Sequence, residues 1–143
     1  MVGAFFAGDY EPQGALIIQG SKTNAAITKG DVCDVSTGKW RTAPAGTGAG
    51  PYAVCIKAAA AADTTVNLLL TGIVYLTANS AVTVNGMLII SPSTAGQVVA
   101  TATAVITTFV GQYLGHENEG DGVTIPTDAV NTDVIRVHFY PGV

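Results

Sequence analysis

Between Thr64 and His116 the chain carries no Asp, Glu, Lys or Arg. An uncharged interval of that length has to be buried, embedded in lipid, or exposed as a neutral surface. Its most hydrophobic part, Val66 to Ala78, is interrupted by Asn67, Thr71, Gly72 and Thr77. It therefore falls short of the roughly 20 apolar residues that a spanning helix needs. Turn residues recur at Asn79–Ser80, Asn85–Gly86 and Ser91–Gly96, so only short extended segments fit between them. Composition points the same way, because Ala (21), Val (17) and Thr (18) make up much of the 143 residues. Val and Thr are stiff at χ1 and pack well on a pleated surface. The expectation is an all-β protein, and the length suits one domain.

The periodicity places the strands. Ala15–Ile18 reads as a short strand followed by a turn at Gly20–Asn24, and Val32–Val35 as a second strand closed by a turn at Ser36–Lys39. Trp40 then leads into a loose Gly- and Pro-containing run from Thr42 to Pro51, and Tyr52–Ala59 resumes the apolar pattern. Ala60–Asp63 has helical propensity but is too short to nucleate a helix. Val66–Thr77 is the strongest strand, apolar on both sides and so central, with Gly72 at its middle permitting a bulge or bend. Its alternation puts Val66, Leu68, Leu70, Val74 and Leu76 on one side. Met87–Ile90, Gln97–Thr108 and Phe109–Leu114 follow, and Val134–Tyr140 sets Ile135, Val137 and Phe139 against Arg136 and His138. The sum is a small single-domain β-barrel or sandwich of about eight to ten strands spanning residues 14–143. Residues 1–13 have no consistent period and form an extended N-terminal arm, whose Phe5, Phe6 and Tyr10 dock either on the domain's own core or on a neighbour.

Charge excludes several partners. The formal net charge is −4, with six Lys and Arg scattered along the chain, so there is no basic stripe for nucleic acid or anionic lipid. Residues 1–9 lack the basic start and sustained apolar run of a secretory signal, which makes reduced, buried Cys33 and Cys55 the expectation over a disulfide.

No catalytic constellation emerges. His116 and His138 are the only imidazoles, neither stands in a recognisable catalytic context, and the cysteines lie in apolar strands where burial makes thiols inert. Gly46–Gly50 lacks the Lys-Ser/Thr ending of a phosphate loop. The acidic turn at Gly115–Gly122 lacks EF-hand spacing and reads as a solvated turn. No catalytic, cofactor-binding or metal-binding residue is assigned.

The order of segments carries a resemblance. Ala26-Ile27-Thr28-Lys29-Gly30-Asp31-Val32 is followed by Pro51 to Ala59, by Thr71-Gly72-Ile73-Val74 within Val66–Ala78, and by Val84 to Ile90. This sequence of a lysine-glycine-aspartate-valine strand entry, an alanine-rich turn and a threonine-glycine-isoleucine-valine strand resembles the phage capsid decoration, or head cement, family. Asp31 to Tyr75, with its Asp34–Lys39 turn before a Gly-rich loop, is similar in layout to the decoration proteins of lambda-like phages. The resemblance covers about Ala25 to Val110. It implies a β-tulip or barrel-like domain that sits as a homotrimer on the outer surface of an expanded icosahedral head, contacts the major capsid protein, and performs no catalysis.

A neutral surface suits that role, since charges are costly to desolvate at the centre of an interface. Phe5, Phe6 and Tyr10 are the expected capsid or neighbour contacts, because aromatic side chains give large contact area at low entropic cost; Trp40, a lone Trp beside a turn, is either a further contact or a lid on the core. Two other classes remain open at this point: a tail-tube or surface-fibre β domain, and a small ligand-binding barrel built around His116, His138 and the acidic turn.

Overall fold

The computed structural model describes residues 5–46, 50–83, 86–102, 108–116 and 128–141, with Gly20, Ser21 and His116 described for their backbone alone. Among these residues there is no helix, and nine strands form one curled antiparallel sheet. The strands are β1 (Leu16–Lys22), β2 (Val32–Ser36), β3 (Lys39–Thr42), β4 (Ala53–Lys57), β5 (Thr65–Thr77), β6 (Met87–Ile90), β7 (Val98–Thr101), β8 (Phe109–His116) and β9 (Val134–Phe139). Their order is β3-β2-β4-β5-β9-β8-β6-β7, with β1 also paired to β5.

The thirteen-residue β5 organises everything else. Its first half pairs with β1 and β4, and its second half with β9. The sheet curls at both ends. Val98 of β7 meets Ala78, just past β5, in a parallel bridge, and Trp40 of β3 meets Thr23, just past β1, in another. The result is one curled sheet that forms a half-barrel with β5 at its centre, in keeping with the all-β, barrel-like expectation.

Two cores follow from this arrangement. The larger, of eighteen buried residues, is lined by Val74, Leu76, Leu88, Val110, Tyr113, Ile135, Val137 and Phe139, and reaches back to Val32, Val54 and Leu69. The smaller, of seven, holds Ile27, Cys33, Ala53, Cys55, Ala59, Val66 and Leu68, with Ile18, Trp40 and Leu70 packed around it. In β9 the predicted alternation holds: Ile135, Val137 and Phe139 are buried, and His138 is exposed.

In β5 the alternation does not run through. Val66 and Leu68 belong to the smaller core and Leu69 to the larger, whereas beyond Gly72 it is the even-numbered Val74 and Leu76 that enter the larger core. Gly72 sits at φ +135, in a region that L side chains rarely adopt, and Ala15 lies over it, its Cα 3.0 Å from where a Cβ would stand. The strand is re-phased there, so the expected single face from Val66 to Leu76 is two faces serving two cores.

One further expectation is corrected. The turn at Gly20–Asn24 is not a turn through its first half, because β1 continues to Lys22 and absorbs an extra residue as a register shift between Ile18 and Ser21. Trp40 follows the Ser36–Lys39 turn as a strand residue opposite Val35, and its strand leads into the irregular run that begins at Ala43. Ala60–Asp63 forms a turn in which Asp63 has φ +60, and no helix.

Candidate interaction surface

Seven residues of the N-terminal segment, Phe5 to Glu11, lie against the second half of β5. The Gly8 amide donates to the Tyr75 carbonyl (2.8 Å), the Tyr75 amide to the Asp9 carbonyl (2.9 Å), and the Glu11 amide to the Ile73 carbonyl (2.9 Å). These bonds place Tyr10 opposite Val74 in antiparallel fashion. Tyr75 and Ile73 thus turn their backbone groups to the arm, while β5 also pairs with β9 along this stretch. Of the two dockings left open by the sequence, the structure shows the arm on its own chain.

Side chains fix the arm's position. Phe5 stacks on the buried Tyr75, with centroids 4.3 Å apart and planes within 3°. Asp9 accepts from the Lys29 ammonium at 2.6 Å, and its other oxygen accepts from the Phe6 amide at 2.9 Å. Burial acts to raise the Asp9 pKa, but the bonds from Lys29 and Phe6, with the Lys29 charge, outweigh it and hold the carboxyl below its ordinary value. Glu11 receives a two-pronged contact from Arg136, at 2.6 and 3.1 Å. Burial first, and then the nearby Glu11 charge, raise the Tyr75 pKa.

The Lys29-Gly30-Asp31 segment, quoted above only as a motif, has a physical role in this clasp. Ala7–Gly8 presses on Lys29–Gly30 so closely that a Cβ at Gly30 would come within 2.5 Å of the Ala7 Cβ, and one at Gly8 within 2.7 Å of the Gly30 nitrogen. Lys29 supplies the ion pair to the arm. Asp31 faces inward, accepting from the Thr42 hydroxyl (3.0 Å) and the Thr28 amide (3.3 Å), and burial pushes its carboxyl pKa up despite these bonds. Phe5, Gly8, Asp9, Tyr10, Lys29 and Ile56 enclose an open groove of about 290 Å³.

The four aromatic residues singled out from the sequence have different fates. Phe5 is engaged with Tyr75. Phe6 is 69% exposed and Tyr10 36% exposed, so both present apolar surface outward from a fixed backbone. Trp40 lies apart from this group and packs against the smaller core. Sequence reasoning missed three further exposed apolar side chains: Leu16 at 55%, Val130 at 62% and Tyr140 at 39%. Leu16 was hidden by its setting, since Ala15-Leu16-Ile17-Ile18 reads as a buried strand. The clasp itself was invisible because Glu11 and Arg136 are 125 residues apart.

The remaining chemistry-bearing residues do not converge. Cys33 and Cys55 are buried free thiols in the smaller core, and burial first, with neighbouring negative charge, raises Cys33 well above its ordinary pKa. Burial likewise raises Cys55, to about 11. His138 is on β9, 4.6 Å from the Tyr140 ring, away from both thiols. Among the described residues no three His, Cys, Asp or Glu are grouped to hold a metal, and no helix is long and apolar enough to cross a membrane. The acidic turn from Glu117 to Gly122 and the glycine-rich Thr47–Ala49 lie outside the described residues.

Fold and surface together define a class: a small all-β half-barrel domain that displays a charge-clasped arm with outward-facing aromatic residues. No family model matches the chain, and no curated protein or solved structure matches it.

Proposed function

We propose that this chain is a structural virion protein that binds the outer surface of an expanded icosahedral phage head as a trimer, contacts the major capsid protein and strengthens the shell against the pressure of packaged DNA. The reading carries over the resemblance of the Lys29–Asp31, Tyr52–Ala59 and Thr71–Val74 segments to head decoration proteins. The observation that supports it best is the outward display of Phe6, Tyr10 and Leu16 within eleven consecutive residues. Exposed aromatic side chains on a backbone already fixed are suited to anchor an interface, because little conformational freedom remains to be lost on binding.

Surface chemistry supports the same role. Every Lys and Arg except Arg136 precedes Thr64, so β6, β7 and β8 offer a neutral exterior that desolvates cheaply. A shell subjected to outward pressure is reinforced by many such contacts, each modest.

The test is co-sedimentation of the purified chain with expanded, undecorated heads, counting bound copies per major capsid subunit. Saturable binding at a fixed ratio, weakened by Phe6→Ser without loss of folding, is the expected result. A folded chain that does not bind heads overturns the proposal, and tubes or fibres of the chain alone in the electron microscope would favour a tail or fibre component.

A further inference from the structure

We propose that the arm, residues 5–11, exchanges between copies of this chain, each arm lying on the β5 of another copy in the position it occupies here on its own. The site is a cast of the segment that fills it. Three backbone bonds, the Phe5–Tyr75 stack, the Asp9–Lys29 pair and the Glu11–Arg136 pair specify this peptide and no general apolar strand. A second copy carries the same peptide, so every one of these contacts re-forms between chains with nothing lost; this is why domain exchange is a low-cost route to association.

The connection to the body is suited to opening. Pro12 to Ala15 makes a tight turn closed by one long bond, from the Ala15 amide to the Pro12 carbonyl at 3.3 Å, and Gly14 meets no atom within 4 Å of where its side chain would be. The turn can open at the exposed Gln13–Gly14 while Ala15 keeps its place over Gly72 against the larger core, and short, tight hinges favour exchange. What holds the arm is largely polar, with one ring stack, so release leaves both cores intact. Released in solution, the arm bares Tyr75, otherwise buried, and the unpaired backbone groups of Ile73 and Tyr75; a second copy's arm covers all of them.

The inference concerns self-association, and its test needs no heads, so its failure leaves head binding to be judged separately. Two variants with reversed charges, Glu11→Lys and Arg136→Glu, are purified separately and then mixed. In each alone, arm and site carry like charge both within one chain and between two copies, so the closed and exchanged forms are weakened alike and exchange gains nothing over the parent chain. In the mixture exchange alone brings every arm to an oppositely charged site, so association between the two variants, measured by sedimentation, should strengthen about tenfold or more over either variant alone.

The unmodified chain gives a second measurement. Light and 15N-labelled chains are refolded together and treated with a carbodiimide, which condenses the Asp9 carboxyl with the Lys29 amine to an amide with loss of water. Cross-linked Asp9–Lys29 peptides of mixed isotope are the expected result. A chain that stays monomeric at about 100 μM, Asp9–Lys29 peptides solely within one isotope, or a variant mixture that sediments as the sum of its parts would each overturn the proposal.

Discussion

The two halves of the sheet are stabilised by different means. The β6–β9 side belongs to the larger core, whose eighteen residues extend back to Val32 and Val54 and are closed by apolar packing, and Arg136 is the sole Lys or Arg of that side. On the β1–β4 side a core of seven is surrounded by ion pairs: Arg41 with Asp34, Lys39 with Asp63 and Lys29 with Asp9. Small cores bury too little apolar surface to define their edges, and hydrogen-bonded charges then supply much of the geometry. Arg41 grips Asp34 through two nitrogens, at 2.8 and 3.3 Å, across the β2–β3 hairpin. The larger core needs no such aids. The difference teaches that the arm, although it is laid on β5 of the apolar half, is held by the methods of the charged half.

The sharpest way to break the comparison is a substitution that apolar packing cannot absorb. A Cβ at Gly111 would sit 2.2 Å from the His138 carbonyl oxygen, which belongs to the paired backbone of β9 and cannot move aside. Gly111→Ala should cost about 3 kcal/mol, read as a lower urea midpoint. The matched pair Leu76→Ala and Leu68→Ala comes next, both side chains being fully buried, one in each core. Leu76→Ala should cost about 4 kcal/mol and Leu68→Ala about 2, because the half-buried Ile18, Trp40 and Leu70 can close around the smaller void. Equal losses would show that the two cores are energetically one.

Acid separates the arm from the body. Asp9 has a folded pKa below its ordinary 3.8, so the stability it lends is fully present above that value and is lost as pH falls through the folded one. Asp31 has its pKa raised by burial, so protonation relieves a penalty and the native state gains as pH falls through that raised value. Amide exchange at Gly8 and Tyr75 should therefore quicken below about pH 3.8 before exchange at Val32 does. The smallest expected effect concerns the thiols: at pH 8 iodoacetamide should leave Cys33 and Cys55 unmodified in the native chain and label both after unfolding.

Much of this architecture was legible in the residues. Val, Thr and Ala between regular turns gave strands, and the uncharged β5 was placed at the centre by being apolar on both sides. The alternation of β9 and the hairpin at Ser36–Lys39 were equally plain, because both depend on near neighbours in sequence. What escaped was set by distant parts. The re-phasing at Gly72 depends on Ala15 crossing above it, and the β1 extension through Gly20–Ser21 depends on β5 accepting a bulge. Of the arm's aromatic residues, Phe6 and Tyr10 are exposed, but Phe5 is committed to Tyr75 by a stack that no local pattern announces.

The re-phased strand has a consequence for how such a chain can vary by mutation. Because β5 changes its facing at Gly72, its length is under tighter control than its identity. Leucine, valine and isoleucine are interchangeable at small cost in many core positions, but a one-residue deletion between Gly72 and Leu76 would present Tyr75 to the larger core and turn Val74 outward. The same deletion would shift the carbonyl that receives the arm. Related sequences should thus tolerate substitutions along β5 and concentrate their insertions elsewhere, so that the strand acts as a fixed ruler from which both halves of the molecule are measured.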